Sequence, residues 1–187
     1  RTDGSLNPAC CMTKETILIV SKQTFAALTA ACEQLDEKSF FERPGEKWSA
    51  AEHLQHLVIA TNTSKLAFSL PLFIVKLVGG TPNRPSRSYD ELVEKYRQKL
   101  AAGGRASGRF IPQKIKAGTG KQALIRRWEN TTAVYLEKLE QKRPEPSLDQ
   151  YLVKHPLLGR ITLRELCYFT IYHTYHHKEN ITRMLTA

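Results

Sequence analysis

Two histidines, His173 and His177, stand four residues apart in the stretch His173-Thr-Tyr-His-His177-Lys-Glu-Asn180. On a helix that spacing puts both imidazoles on one face, one turn apart, where they can grip a single metal ion. A third imidazole from another helix would complete a three-histidine site with an open position, as catalytic zinc is held. Candidates for the third are His53 and His56, in Trp48-Ser-Ala-Ala-Glu52-His53-Leu-Gln-His56-Leu57. The apolar stripe of Ala51, Leu54, Leu57 and Val58 draws His53 closer to the core and leaves His56 at its boundary, so periodicity alone favours His53. His173 and His177 share a stripe with Leu166, Thr170, Ile181 and Met184 and are expected to point inward. A buried imidazole needs partners for both nitrogens, and a metal, a side chain or water can supply them. His176 sits at the edge of the stripe, and Cys167 is too far from His173 along the helix to reach the same ion.

Helices must position these groups. Four starts carry the capping-box pattern, Ser or Thr followed three residues later by Glu or Gln: Ser49/Glu52, Ser88/Glu91, Thr119/Gln122 and Thr162/Glu165. The expected helices run from about Thr13 to Leu35, Ser49 to Gly79 with a kink at Pro71, Tyr89 to Ala102, Lys121 to Lys142, and Leu163 almost to Ala187. No stretch sustains a two-residue alternation, so little or no sheet is expected, and 36–47, 79–88, 103–118 and 143–161 read as loops. The fold class is all-α, four long helices plus a shorter one, and such bundles build metal sites between facing helices.

The chain has 187 residues, enough for one domain with its own core, and its 41% apolar and 25% charged content is that of a globular protein. Residues 1–11 are expected to be disordered or a remnant of expression or processing, with Met12 as the native start and 12–187 as the domain. Cys10, Cys11, Cys32 and Cys167 have no metal-ligand spacing and read as reduced thiols of a cytoplasmic protein. The apolar run around Leu70 to Val78 is too short to span a bilayer, and residues 1–12, without a charged start and an apolar stretch, are not expected to be a signal peptide. Net charge is +10, with seven basic and no acidic residues between Arg105 and Arg127. The stretch lacks the interleaved aromatics of a nucleic-acid binder. It reads as a solvated loop, or as part of a pocket for an anionic molecule through Arg105, Arg109 or Lys114.

Trp48-Ser49, His56-Leu57 eight residues after the tryptophan, His155-Pro156-Leu-Leu-Gly159 and the final His173-x-x-x-His177 together resemble the DinB/YfiT-like family. The resemblance covers most of the chain from about Thr13. It implies a four-helix bundle of up-down-down-up type with a long crossover, and a divalent metal, zinc or nickel, on His56, His173 and His177. It overrides the periodicity, leaving His53 off the ligand set, and with Asn180 as outer support. It further implies enzymes using low-molecular-weight thiols on small electrophilic substrates, S-transferase-like, and pairing into homodimers. Hydrolysis by metal-activated water and a non-enzymatic, stress-associated binding role are the alternatives. Trp48 is expected to pack at the start of its helix, and the loops at 79–88 and 103–118 to shape a substrate pocket.

Overall fold

The computed structural model describes residues 11–116 and 118–185; the expectation for the N-terminal segment, Cys11 apart, falls outside them. The described chain is mostly helical, with helices α1 (Lys14–Gln34), α2 (Glu37–Phe41), α3 (Ala50–Ser69), α4 (Leu72–Gly79), α5 (Tyr89–Ala101), α6 (Lys121–Lys142), α7 (Ser147–Gln150) and α8 (Leu163–Met184). One antiparallel hairpin, β1 (Leu152–His155) and β2 (Gly159–Thr162), sits just before α8.

Local chemistry sets the helix starts. Ser49, Ser88 and Thr162 each accept from the backbone N–H three residues on, and Glu52, Glu91 and Glu165 reach back to the cap's own N–H. The box expected at Thr119 does not form. Gly120 is the cap of α6 and bonds through no side chain. Instead Glu37 of α2 accepts from the first helical N–H, that of Lys121, at 3.0 Å, placing a carboxylate at the positive end of the helix dipole.

Three expectations change. The segment from Ser49 to Gly79 is not one kinked helix: α3 and α4 meet at Pro71 with their axes bent by 115°. Proline lacks the N–H and crowds the carbonyl one turn back, so the ladder stops there. Residues 36–47 and 143–161, read as loops, hold α2, α7 and the hairpin. Strands of four residues are too short to show an alternation, and the register Leu152↔Thr162 through His155↔Gly159 is fixed by pairing.

The four long helices make a ring: α3 packs on α6 and α8, and α1 packs on α8 and α6. Their ends tell their directions. The Arg143 guanidinium at the end of α6 donates to the Ala67 carbonyl at the end of α3, at 2.9 Å. Lys121 at the start of α6 donates to the Glu33 carbonyl at the end of α1. Between them lies an apolar core in which Trp128 and Tyr135 stand edge-on to Phe25 at 5.4 and 5.7 Å, and Phe68 meets Tyr135 at 5.3 Å. Each such pair adds about 0.5–1.5 kcal/mol beyond area burial.

The loop after α4 is tied to the start of α8. Glu165, with none of its surface exposed, takes two bonds from the Arg84 guanidinium, at 2.7 and 2.9 Å, and one from the Arg87 N–H at 2.8 Å. Burial alone would raise this carboxyl, but the Arg84 and backbone bonds outweigh it and hold the group below the usual carboxylate range. Among the described residues no single helix is long and apolar enough to cross a membrane.

Candidate metal centre

α3 and α8 run antiparallel, so rising numbers on one face falling numbers on the other: His53 meets His177, His56 meets His173, and Ser64 meets Thr170. Packing of the two helices brings four imidazoles into one cluster, all buried. His56 Nε2 lies 3.0 Å from His173 Nε2, and His173 Nε2 lies 3.1 Å from His177 Nε2. His56, His173 and His177 form the group whose ligand atoms converge closely enough to hold one ion.

Proton bookkeeping shows why these contacts are unusual. His56 Nδ1 lies 2.6 Å from the Phe110 carbonyl; a carbonyl only accepts, so Nδ1 carries the proton and Nε2 is a bare lone pair. A neutral imidazole has one N–H. His173 Nε2 faces two other nitrogens, so at most one of its two close contacts is a hydrogen bond. The other sets like against like, an arrangement that a shared cation resolves. Tetrahedral ligands at about 2.0–2.1 Å from zinc stand roughly 3.3 Å apart, close to the spacing found. The residues present fit a divalent ion.

His53 takes a different part. Its Nδ1 lies 2.8 Å from His177 Nδ1, so it can accept the His177 Nδ1 proton and leave His177 Nε2 free to bind. Periodicity was right that His53 is inward, and the structure brings His56 inward as well. Burial, helped by the neighbouring imidazoles, holds His173 and His177 well below the ordinary histidine value and His53 at about 4. Burial also lowers His56, partly offset by the Phe110 carbonyl. All four are therefore neutral near pH 7, the form that ligates.

Aromatic rings enclose the cluster. Trp48, beyond packing at the start of α3, lies parallel to His177 at 6.2 Å and touches His53 and His56. Phe169 stacks on His173 at 4.7 Å. Cluster and rings open on a cavity of about 1040 Å³ between α3, α8, the hairpin and the 104–110 segment.

Of the basic residues singled out in the sequence, Arg105 lines this cavity, while its guanidinium also donates to the Gly104 carbonyl at 2.9 Å. Arg109 folds over the Phe110 ring and Lys114 is exposed; the structure brings neither to the cavity wall. Asn180 lines the cavity with its amide 3.5 Å from His176 rather than against the triad. Cys167 is buried away from the cavity, and burial pushes its thiol up to about 12. The hydroxyls of Tyr168 and Tyr172 accept from the Met12 N–H and the Arg97 guanidinium, each at 2.9 Å.

Two participants were not assigned from sequence. The Phe110 carbonyl leaves no signal, because any residue carries one. His155 was visible only as part of a motif. Its Nδ1 accepts from the N–H groups of Leu157 and Leu158 at 3.2 and 3.1 Å, and its ring meets Phe169 edge-on at 4.2 Å on the cavity wall.

No curated protein and no solved structure matches the chain. The family model of the DinB superfamily matches residues 22–181, a span holding all four cluster histidines and the hairpin. The match covers far more than half of the sequence and includes both helices that build the cluster, so the chain belongs to the DinB superfamily.

Proposed function

We propose that the protein is a divalent-metal-dependent enzyme in which His56, His173 and His177 hold zinc or nickel, and which transfers a low-molecular-weight thiol to a small electrophilic substrate. The convergence of three buried, neutral imidazole nitrogens that no choice of protons can fully satisfy carries the reading. An ion on three neutral imidazoles keeps its full positive charge and an exchangeable position, and so supplies the Lewis acidity that stabilises a thiolate near pH 7. The chain does the rest. Phe110 and His53 orient His56 and His177 through their second nitrogens. Trp48 and Phe169 keep water from the cluster, and Arg105 offers positive charge to carboxylates of a thiol cofactor.

The fold belongs to the same reading: α1, α3, α6 and α8 as an up-down-down-up four-helix bundle, with α4 and α5 on the long crossover. The end contacts Arg143–Ala67 and Lys121–Glu33 support that order. A cytoplasmic location suits a thiol cofactor, and a homodimer would cover the exposed Phe73 and Leu77 of α4.

Elemental mass spectrometry on untagged protein tests the metal. Near-stoichiometric zinc or nickel is expected, lost in His56→Ala and retained, with affinity lowered about 10–100-fold, in His53→Ala. No metal after incubation with either ion would overturn the reading. With metal bound, thiol consumption alongside an electrophile is expected. Ester or amide cleavage independent of thiol would replace transfer by hydrolysis.

A further inference from the structure

The cavity does not end at the histidines. From His56 it continues along α3 past Ala60, Thr63, Ser64 and Ala67 to Leu70. Thr63 and Ser64 are neighbours, and otherwise these positions recur every three or four residues, one face of the helix; the four after His56 are small, and Leu66 lines the space beside them. Large residues there would fill the cavity; small ones leave it open. Val75, Leu152 and Leu166, all buried and apolar and from three different elements, also line it. The hydroxyls in between are engaged: Thr63 donates to the Ile59 carbonyl at 3.1 Å, and Ser64 accepts from Thr170 at 3.3 Å. The near end is marked by the His56, His173 and His177 nitrogens, more than nine-tenths buried and lacking a full set of partners.

We infer that this site takes a substrate with an extended apolar arm, an unbranched alkyl or acyl chain laid along α3 with its reactive end at the histidines. The position of the reactive end rests on the function proposed above; the arm rests on the cavity alone. Fourteen residues separate His56 from Leu70, about 21 Å at the helical rise of about 1.5 Å per residue. A staggered chain of about sixteen carbons, at roughly 1.25 Å each, has that length. A polar molecule such as a sugar would find few free partners between Ala60 and Leu70 and would lose its hydration without replacement. An alkyl chain loses nothing there and gains from burial.

The test is binding of saturated alkyl carboxylates of six to eighteen carbons, read by displacement of a fluorescent naphthalenesulfonate dye. It is run on the full chain both metal-free and zinc-loaded. Affinity is expected to rise roughly fourfold per added methylene and to level near sixteen carbons. Ala67→Phe, eleven residues from His56, should pull the plateau back to about thirteen carbons by the same helical rise, with zinc content unchanged. Ala67→Leu, a milder block, should move it in the same direction if the phenylalanine variant fails to fold. Affinity independent of chain length, or a plateau unmoved by a folded Ala67 variant, overturns the inference. Length dependence in the metal-free protein with no zinc uptake would sink the metal reading and keep this one. Zinc uptake without length dependence would do the reverse.

Discussion

A histidine ring has two nitrogens, and at this site the second nitrogen decides what the first can do. The Phe110 carbonyl fixes the proton of His56, and His53 stands where it can fix that of His177. The depressed values carry a pH consequence. Unfolded histidine titrates near 6.5, whereas folded His53 does so at about 4 and His173 and His177 lie well below the ordinary value. The native state therefore binds fewer protons than the unfolded chain between these limits. The stability tied to the neutral rings is fully present above about pH 6.5 and is lost as pH falls towards the folded values. The melting temperature of metal-free protein is expected to drop between about pH 7 and pH 5. A flat profile over that range, measured by circular dichroism, would show that the rings are not held neutral.

Elements place the cavity's walls through close approaches that individual residues permit. Pro71 turns the chain out of α3 so that α4 swings back over the hairpin. Gly79 then passes so near β1 that a Cβ on it would stand 1.6 Å from the Leu152 carbonyl oxygen. Alanine at this position must push α4 and β1 apart, and overpacking of this kind costs about 1–3 kcal/mol. Gly79→Ala should lower stability by that amount in chemical denaturation, with zinc binding at His56, His173 and His177 retained. An unchanged midpoint would mean that the α4–β1 contact gives way without strain.

Over the whole molecule, the site and the fold are coupled because the candidate ligands come from helices far apart in sequence. His56 on α3 and His173 and His177 on α8 approach one another only when these helices pack together. Metal that binds the folded chain alone must stabilise it by mass action, by about 2.7 kcal/mol at a free concentration a hundred times the dissociation constant. For a domain of this size that is a rise in melting temperature of roughly 5–10 °C. Chelation should reverse it, and His56→Ala should abolish it. Equal melting with and without zinc or nickel would show that the cluster does not take the ion as a unit.

Much of this was legible along the chain because its causes are local. Three capping boxes, the limits of α1, α5, α6 and α8, and the shared face of His173 and His177 depend on residues within a turn or two of each other. The motif spacing carried the family and, through it, His56. Long-range contacts decided the rest. Glu37 caps α6 from another helix, a four-residue strand exists because its partner pairs with it, and Arg109 and Lys114 lie off the cavity wall. Periodicity favoured His53 and put His56 at the boundary, yet both are inward; only the facing helix separates them, setting His56 Nε2 against His173 and His53 against the far nitrogen of His177. Sequence determined which side chains were available and which faces they share. Tertiary packing determined which nitrogens meet, because that depends on the register of α3 against α8, which no local pattern encodes.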